Sequence, residues 1–248
     1  MISSRPDLAA VLAFGIAALF TGLLVPIVRR AGLRWGFTDQ PDSRKQHTTP
    51  MVRLGGIGIV AGFVIALALI WWLGGFVELS SQRDQQIWTT IAGSLCFFVI
   101  GLADDLFALP PLPRLAGQVL VAIAVWSQGV QIGAIDLPLH WLGGPTGVIA
   151  LPDGLSLLAT VIWLVGITNA INWLDGLDGL AAGVSGIAAV GLLSVSYSLN
   201  QPAPGLLAAA LAGSCLGFLR HNFNPARIFM GDGGSYFLGF ALAAISIV

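Results

Sequence analysis

Charged residues make up only 9% of this 248-residue sequence, against about a quarter in a typical soluble domain. That shortage excludes an ordinary water-soluble fold, whose surface needs polar cover. Net charge is −1, so no basic field nominates a nucleic acid as a partner. Cysteine is nearly absent: Cys96 and Cys215 both lie within apolar runs. A disulfide framework and a thiolate metal centre are therefore excluded. The first apolar run does not read as a secretory signal, because Arg29 and Arg30 follow it rather than precede it and no Ala-x-Ala site closes it.

What is present is apolar: 56% hydrophobic residues, 32 glycines and 8 tryptophans, with a mean hydropathy of +0.87. The composition predicts an all-α polytopic integral membrane protein, with helices apolar on every face. Apolar windows fall at 8–28, 55–77, 87–103, 115–135, 154–170, 180–199, 205–220 and 236–248. They predict about eight transmembrane helices in a single membrane-embedded domain over 1–248. The last window stops inside its own run, at Val248, so a chain incomplete at its C-terminus is expected. Alternate connections hold nine of the 11 Lys and Arg residues, leaving only Arg5 and Arg83 on the other side. The positive-inside rule then puts the N-terminus outside and the basic connections in the cytoplasm, in the cell inner membrane.

Against this apolar background one stretch concentrates polar side chains, Asn169-Ala170-Ile171-Asn172-Trp173-Leu174-Asp175-Gly176-Leu177-Asp178-Gly179. Asp175 and Asp178 are three apart, and a helical turn would set both on one face. Oxygen ligands of this kind suit a hard cation such as Mg²⁺, and through it a phosphorylated substrate. The plainer alternative is a polar turn joining two helices. Asp104, Asp105, Asp175, Asp178 and Asp232 all fall at helix ends on the same side. Five such carboxylates would repel one another unless a cation neutralises them.

Three further segments on that side carry candidates. The first runs from Asp39 through Lys45 and His47 to Arg53-Leu54-Gly55-Gly56. It mixes turn formers with anion-binding side chains, and the glycine pair would let a ligand approach the backbone. From charge alone it also reads as an ordinary positive-inside loop. The second is Gly101-Leu102-Ala103-Asp104-Asp105-Leu106, where adjacent carboxylates suit a metal ligand and a general base. Arg114 follows, equally a bidentate clamp for a phosphate oxygen and a topological anchor. The third is Arg227-Ile228-Phe229-Met230-Gly231-Asp232-Gly233-Gly234-Ser235. Its glycine-rich turn before a new apolar run would present backbone N–H groups to phosphate, and Phe229 offers a stacking face.

Together the DxPxxRKxH…PxxRLGG segment, GLADDL, NAxNxxDGxDGLAxG and FMGDGGS resemble the polyprenyl-phosphate N-acetylhexosamine-1-phosphate transferases, the glycosyltransferase family 4 type. The Arg44-Lys45-x-His47 loop resembles the WecA/TagO branch rather than MraY. The resemblance implies transfer of an N-acetylhexosamine-1-phosphate, GlcNAc-1-phosphate first, from a UDP-N-acetylhexosamine to undecaprenyl phosphate in the bilayer, with release of UMP. Mg²⁺, or Mn²⁺ in its place, is the implied cofactor, and a homodimer the implied assembly. Carried over residue by residue, Asp232 and Asn172 match metal ligands. Asp104 and Asp105 match the pair that handles the lipid phosphate, with the base among them open. Asp175, Asp178, Gly176, Gly179 and Phe229 match the nucleotide side, and Arg114, Lys45 and His47 the phosphates.

The sequence departs from the family at Leu112, where relatives often carry a basic residue. It also lacks the family's later spans and their His-x-His-His-type loop. Competing expectations are an MraY-like phospho-N-acetylmuramoyl-pentapeptide transferase, a membrane cation transporter, and an inactive scaffold. A transporter would place ionisable groups near the bilayer midplane, whereas here they gather at one face.

Overall fold

Among the described residues, eight helices fall on the eight apolar windows: α1 (Pro6–Trp35), α2 (Gly55–Trp72), α3 (Ser81–Phe107), α4 (Pro111–Ser127), α5 (Asp153–Leu174), α6 (Leu180–Ser198), α7 (Pro202–Asn222) and α8 (Gly231–Ile245). They are seen in a computed structural model that describes residues 5–39, 51–75, 81–137 and 147–248. Six of them, all but α4 and α8, are long and apolar enough to cross a membrane. The protein is thus an all-α multi-pass membrane protein. At 17 and 15 residues, α4 and α8 fall at or below the lower limit of about 17 for a full span.

Two windows overshoot their helices, each at a glycine. The second ends at Trp72, before Gly74 at φ +69°, and the fourth at Ser127, before Gly129 at φ +91°. Left-handed backbone of this kind closes a helix, and glycine adopts it without a Cβ penalty. Two short antiparallel hairpins complete the described chain. The first pairs β1 (Thr38–Asp39) with β2 (Met51–Val52). The second pairs β3 (Ala134–Leu137) with β4 (Gly147–Ala150), in the Gly/Pro-rich segment after α4.

The core is organised around the last two helices. α7 is wrapped by α1, α2 and α6, and α8 by α3, α5 and α2, so α2 touches both groups; α4 lies outside, against α3 and α5. Small residues along α7, such as Ala208–Ala212, are fully buried, which lets neighbouring backbones come close where no aqueous hydrophobic effect drives association. Outward faces remain apolar, with Leu19, Leu23 and Ile27 of α1 and Ile162 of α5 exposed. Exposed aromatics mark both ends, Trp71 and Trp72 at one and Trp35, Phe107 and Trp173 at the other, as in the interfacial belts of membrane proteins. Some polar side chains inside the spans bond their own helix: Thr168 donates to the Leu164 carbonyl and Ser94 to that of Thr90.

Hydrogen bonds knit the described residues of four inter-helix connections into one end of the bundle. Phe229 joins Val52, Asp105 joins Asp232, Gly179 joins Asn222, and Arg29 reaches the Arg227 carbonyl. The described residues of the motifs singled out above lie at this end.

Candidate active site

The N-terminus of α8 is the hub of that end. The chain enters it extended: the Phe229 N–H donates to the Val52 carbonyl at 2.9 Å, and the Gly55 and Gly56 N–H groups donate to the carbonyls of Phe229 and Met230 at 2.9 and 2.8 Å. α8 then starts in the cleft between α2 and α3. A Cβ on Gly56 would lie 2.3 Å from the Gly234 nitrogen, and one on Gly101 would lie 2.3 Å from the Asp232 carbonyl oxygen. Both positions need glycine because backbone meets backbone there. The expectation that Gly55-Gly56 admits a ligand is corrected accordingly: the close partner of this pair is α8 and the segment just before it.

The expectation that the 231–234 turn offers its N–H groups to phosphate is corrected as well. The Asp232 and Gly233 N–H groups donate to the two carboxylate oxygens of Asp105, at 2.9 and 2.8 Å. These are two of the four N–H groups that a helix start leaves without an internal partner, and α3 supplies their acceptor.

Successive residues on a helix point about 100° apart, so Asp104 faces elsewhere. Its carboxylate accepts the Leu109 N–H at 2.8 Å and the Arg114 guanidinium. The same guanidinium stands 4.0 Å from the Asp232 carboxylate. From α5, the Asn172 amide donates to the Asp232 carboxylate at 2.6 Å and to the Ser235 hydroxyl at 2.9 Å. One turn earlier Asn169 donates to Gln118 of α4 at 2.8 Å, holding α5 against α4 behind the site.

Asp175 and Asp178 part company. α5 stops at Leu174, so the residues between the two aspartates are a turn and the same-face argument fails. Asp175 turns toward the start of α8. Burial pushes its carboxyl up to about 8, the nearby Asp232 charge adds to the rise, and Arg53 opposes it. Asp178 instead accepts the Asn224 amide at 3.1 Å and the Ala226 N–H at 2.9 Å, bracing the α7–α8 connection. Gly179 is buried, with φ +74°, and its N–H donates to Asn222 at 3.0 Å. Gly176 is exposed and Phe229 half-buried. Lys45 and His47 lie outside the described residues.

Two participants were not singled out from sequence. Arg53 acts on both Asp175 and Asp232 through its charge, and the clue was its place just before the Gly55-Gly56 pair. Ser235 shares the Asn172 amide with Asp232, and the clue was its position one turn along α8.

The site therefore gathers Asp104, Asp105, Asp175 and Asp232 with Arg53 and Arg114. The available donors are oxygens: Asp232, the amide oxygen of Asn172 and the Ser235 hydroxyl. Among the described residues no group of three or more His, Cys, Asp or Glu side chains closes on a single point. One carboxylate with neutral oxygens is a donor set that could take a hard cation such as Mg²⁺, with waters and phosphate oxygens as its other ligands.

A model of glycosyl transferase family 4 matches residues 87–248. The chain is 35% identical over 238 residues to a probable undecaprenyl-phosphate N-acetylglucosaminyl 1-phosphate transferase of Bacillus subtilis, covering 96% of this chain and 62% of that protein. It is 36% identical over 238 residues to a decaprenyl-phosphate N-acetylglucosaminephosphotransferase of Mycobacterium tuberculosis, covering 93% and 58% respectively. A phospho-N-acetylmuramoyl-pentapeptide-transferase of Desulforudis audaxviator is 30% identical over 258 residues, covering 97% of this chain and 75% of that one. The chain thus spans less than two thirds of the first two relatives.

Proposed function

Because this chain belongs to glycosyl transferase family 4, we propose that it transfers an N-acetylhexosamine-1-phosphate, GlcNAc-1-phosphate first, from its UDP-sugar to a polyprenyl phosphate such as undecaprenyl phosphate. The observation that carries this reading is the gathering of Asp104, Arg114, Asn172 and Asp232 at one membrane-facing end. There a lipid phosphate and a water-soluble nucleotide can meet. The names of the relatives favour N-acetylglucosamine and a polyprenyl acceptor. The basic residues at the same end favour a cytoplasmic site in the inner membrane.

The reaction joins two anions. An oxygen of the lipid phosphate attacks the β-phosphorus of the UDP-sugar, a new phosphoanhydride bond forms, and UMP leaves with the electron pair of the broken one. A phosphate monoester is already largely ionised at neutral pH, its second pKa being about 6, so charge neutralisation and alignment matter more than proton removal. Arg114 would hold a phosphate oxygen while Asp104 fixes the guanidinium. Asp232 and Asn172 would hold Mg²⁺, or Mn²⁺ in its place, which supplies positive charge to the pyrophosphate. Gly176, open to solvent, and half-buried Phe229 would line the nucleotide side, with Asp178 and Gly179 shaping the loop beneath it. Lys45 and His47 would add charge to the phosphates.

The test is UMP release from UDP-GlcNAc and undecaprenyl phosphate by the product of the complete gene in lipid nanodiscs, with and without Mg²⁺. Mg²⁺-dependent UMP formation is expected. Its absence with UDP-GlcNAc, UDP-GalNAc and UDP-N-acetylmuramoyl-pentapeptide alike would overturn the proposal.

A further inference from the structure

Asp104 and Asp105 are neighbours in sequence, yet their carboxylates are engaged in different ways. Asp104 accepts the Arg114 guanidinium, which also faces Asp232. Asp105 has both oxygens committed to backbone, one to the Asp232 N–H and the other to the Gly233 N–H. The chain makes room for this contact: Gly231 has φ +77°, and a Cβ there would lie 2.7 and 2.9 Å from the two Asp105 oxygens and 2.0 Å from the Arg53 carbonyl. Glycine at 231 is therefore needed for the carboxylate to reach the helix start.

We propose that Asp105 is a positioning residue, a side-chain cap supplied by α3 to α8 that fixes the direction of Asp232 and supports turnover through it. This rests on the transferase reading for its catalytic half only. The physical case is direct. A carboxylate at a helix N-terminus satisfies orphan N–H groups and faces the positive end of the helix dipole. Both bonds are charge-assisted. Asp232 is the second residue of α8, so whatever fixes the first turn also fixes where its carboxylate points.

Asparagine caps a helix about as well as aspartate but cannot act as a base, so the two roles separate by substitution. In Asp105→Asn, deuterium exchange of the peptide spanning 229–236 rises by only about threefold, because the amide oxygen still accepts one of the two N–H groups while the NH2 group accepts neither. In Asp105→Ala, exchange there rises by about tenfold or more, since an uncapped first turn opens more often. Turnover follows the same order, falling less than about tenfold for Asn and by about a hundredfold for Ala, as for other residues that orient a ligand-bearing group. Asp105→Ser, a shorter cap, falls between them and keeps the comparison usable should the alanine variant fail to accumulate. An asparagine variant as inactive as alanine, with exchange at 229–236 unchanged in both, would overturn the cap and make Asp105 a charged participant in the reaction. The exchange measurement needs no substrate, so it tests the cap even if no UDP-sugar supports turnover.

Discussion

The two ends of this helix bundle are made from the same apolar spans but are finished differently. At the α8 end, four carboxylates and two arginines meet among hydrogen bonds from α3 and α5 to α8 and an ion pair from α4 to α8. At the other end the polar contacts are peripheral: Arg5 pairs with Asp7 in solvent, Gln85 with Gln128 on the surface, and Tyr197 with the Pro6 carbonyl. The groove beside Tyr197, between α1 and α6, is lined mainly by Val11, Phe14 and Leu193. Among the described residues, only the α8 end puts charge where backbone is already packed to glycine tolerances. The contrast teaches that in a chain so poor in charge, chemistry is assigned by where helix ends converge rather than by how many polar residues a loop contains.

The most damaging change to this asymmetry is Asp232→Asn. It keeps the shape and the Asn172 contact but removes the central negative charge, and turnover is expected to fall by about a thousandfold while insertion and yield stay unchanged. Arg114→Ala comes next. It leaves Asp104 without its guanidinium, and about a hundredfold loss in kcat/KM is expected, with only part recovered by Arg114→Lys because lysine lacks the fork. At the other end Arg5→Ala removes an ion pair whose side chains are 64% and 63% exposed. Exposed pairs contribute little, so turnover and thermal midpoint should both hold at the wild-type level. A large effect at Arg5 would mean that the two ends are not separable.

Much of this contrast was legible in the sequence. Hydropathy marked the eight described helices, six of them long and apolar enough to cross a membrane, because a span must satisfy its backbone internally and announces itself by length. The basic residues sorted themselves onto alternate connections, and Asp104, Asn172 and Asp232 stood out as polar residues at the ends of apolar runs. What the sequence could not supply was direction. A glycine that makes room for a ligand and one that makes room for a helix look alike in one dimension, so Gly56 was assigned to the wrong neighbour. Asp175 and Asp178 were placed on one face because helical spacing was assumed past Leu174, where the chain turns instead. Asp105 read as a twin of Asp104, and only the packed position of α8 reveals that its carboxylate is taken.

The measurement that tests the account most directly sets the two ends against each other in one assay. Mg²⁺-dependent UMP release would be followed for Asp232→Asn and for Trp71→Ala, whose indole is exposed at the far end, in the same nanodiscs. The account predicts turnover below about a thousandth of wild type for Asp232→Asn and within about twofold of wild type for Trp71→Ala, a surface change away from any special feature. Retained turnover in Asp232→Asn, with Mg²⁺ dependence intact, would contradict it.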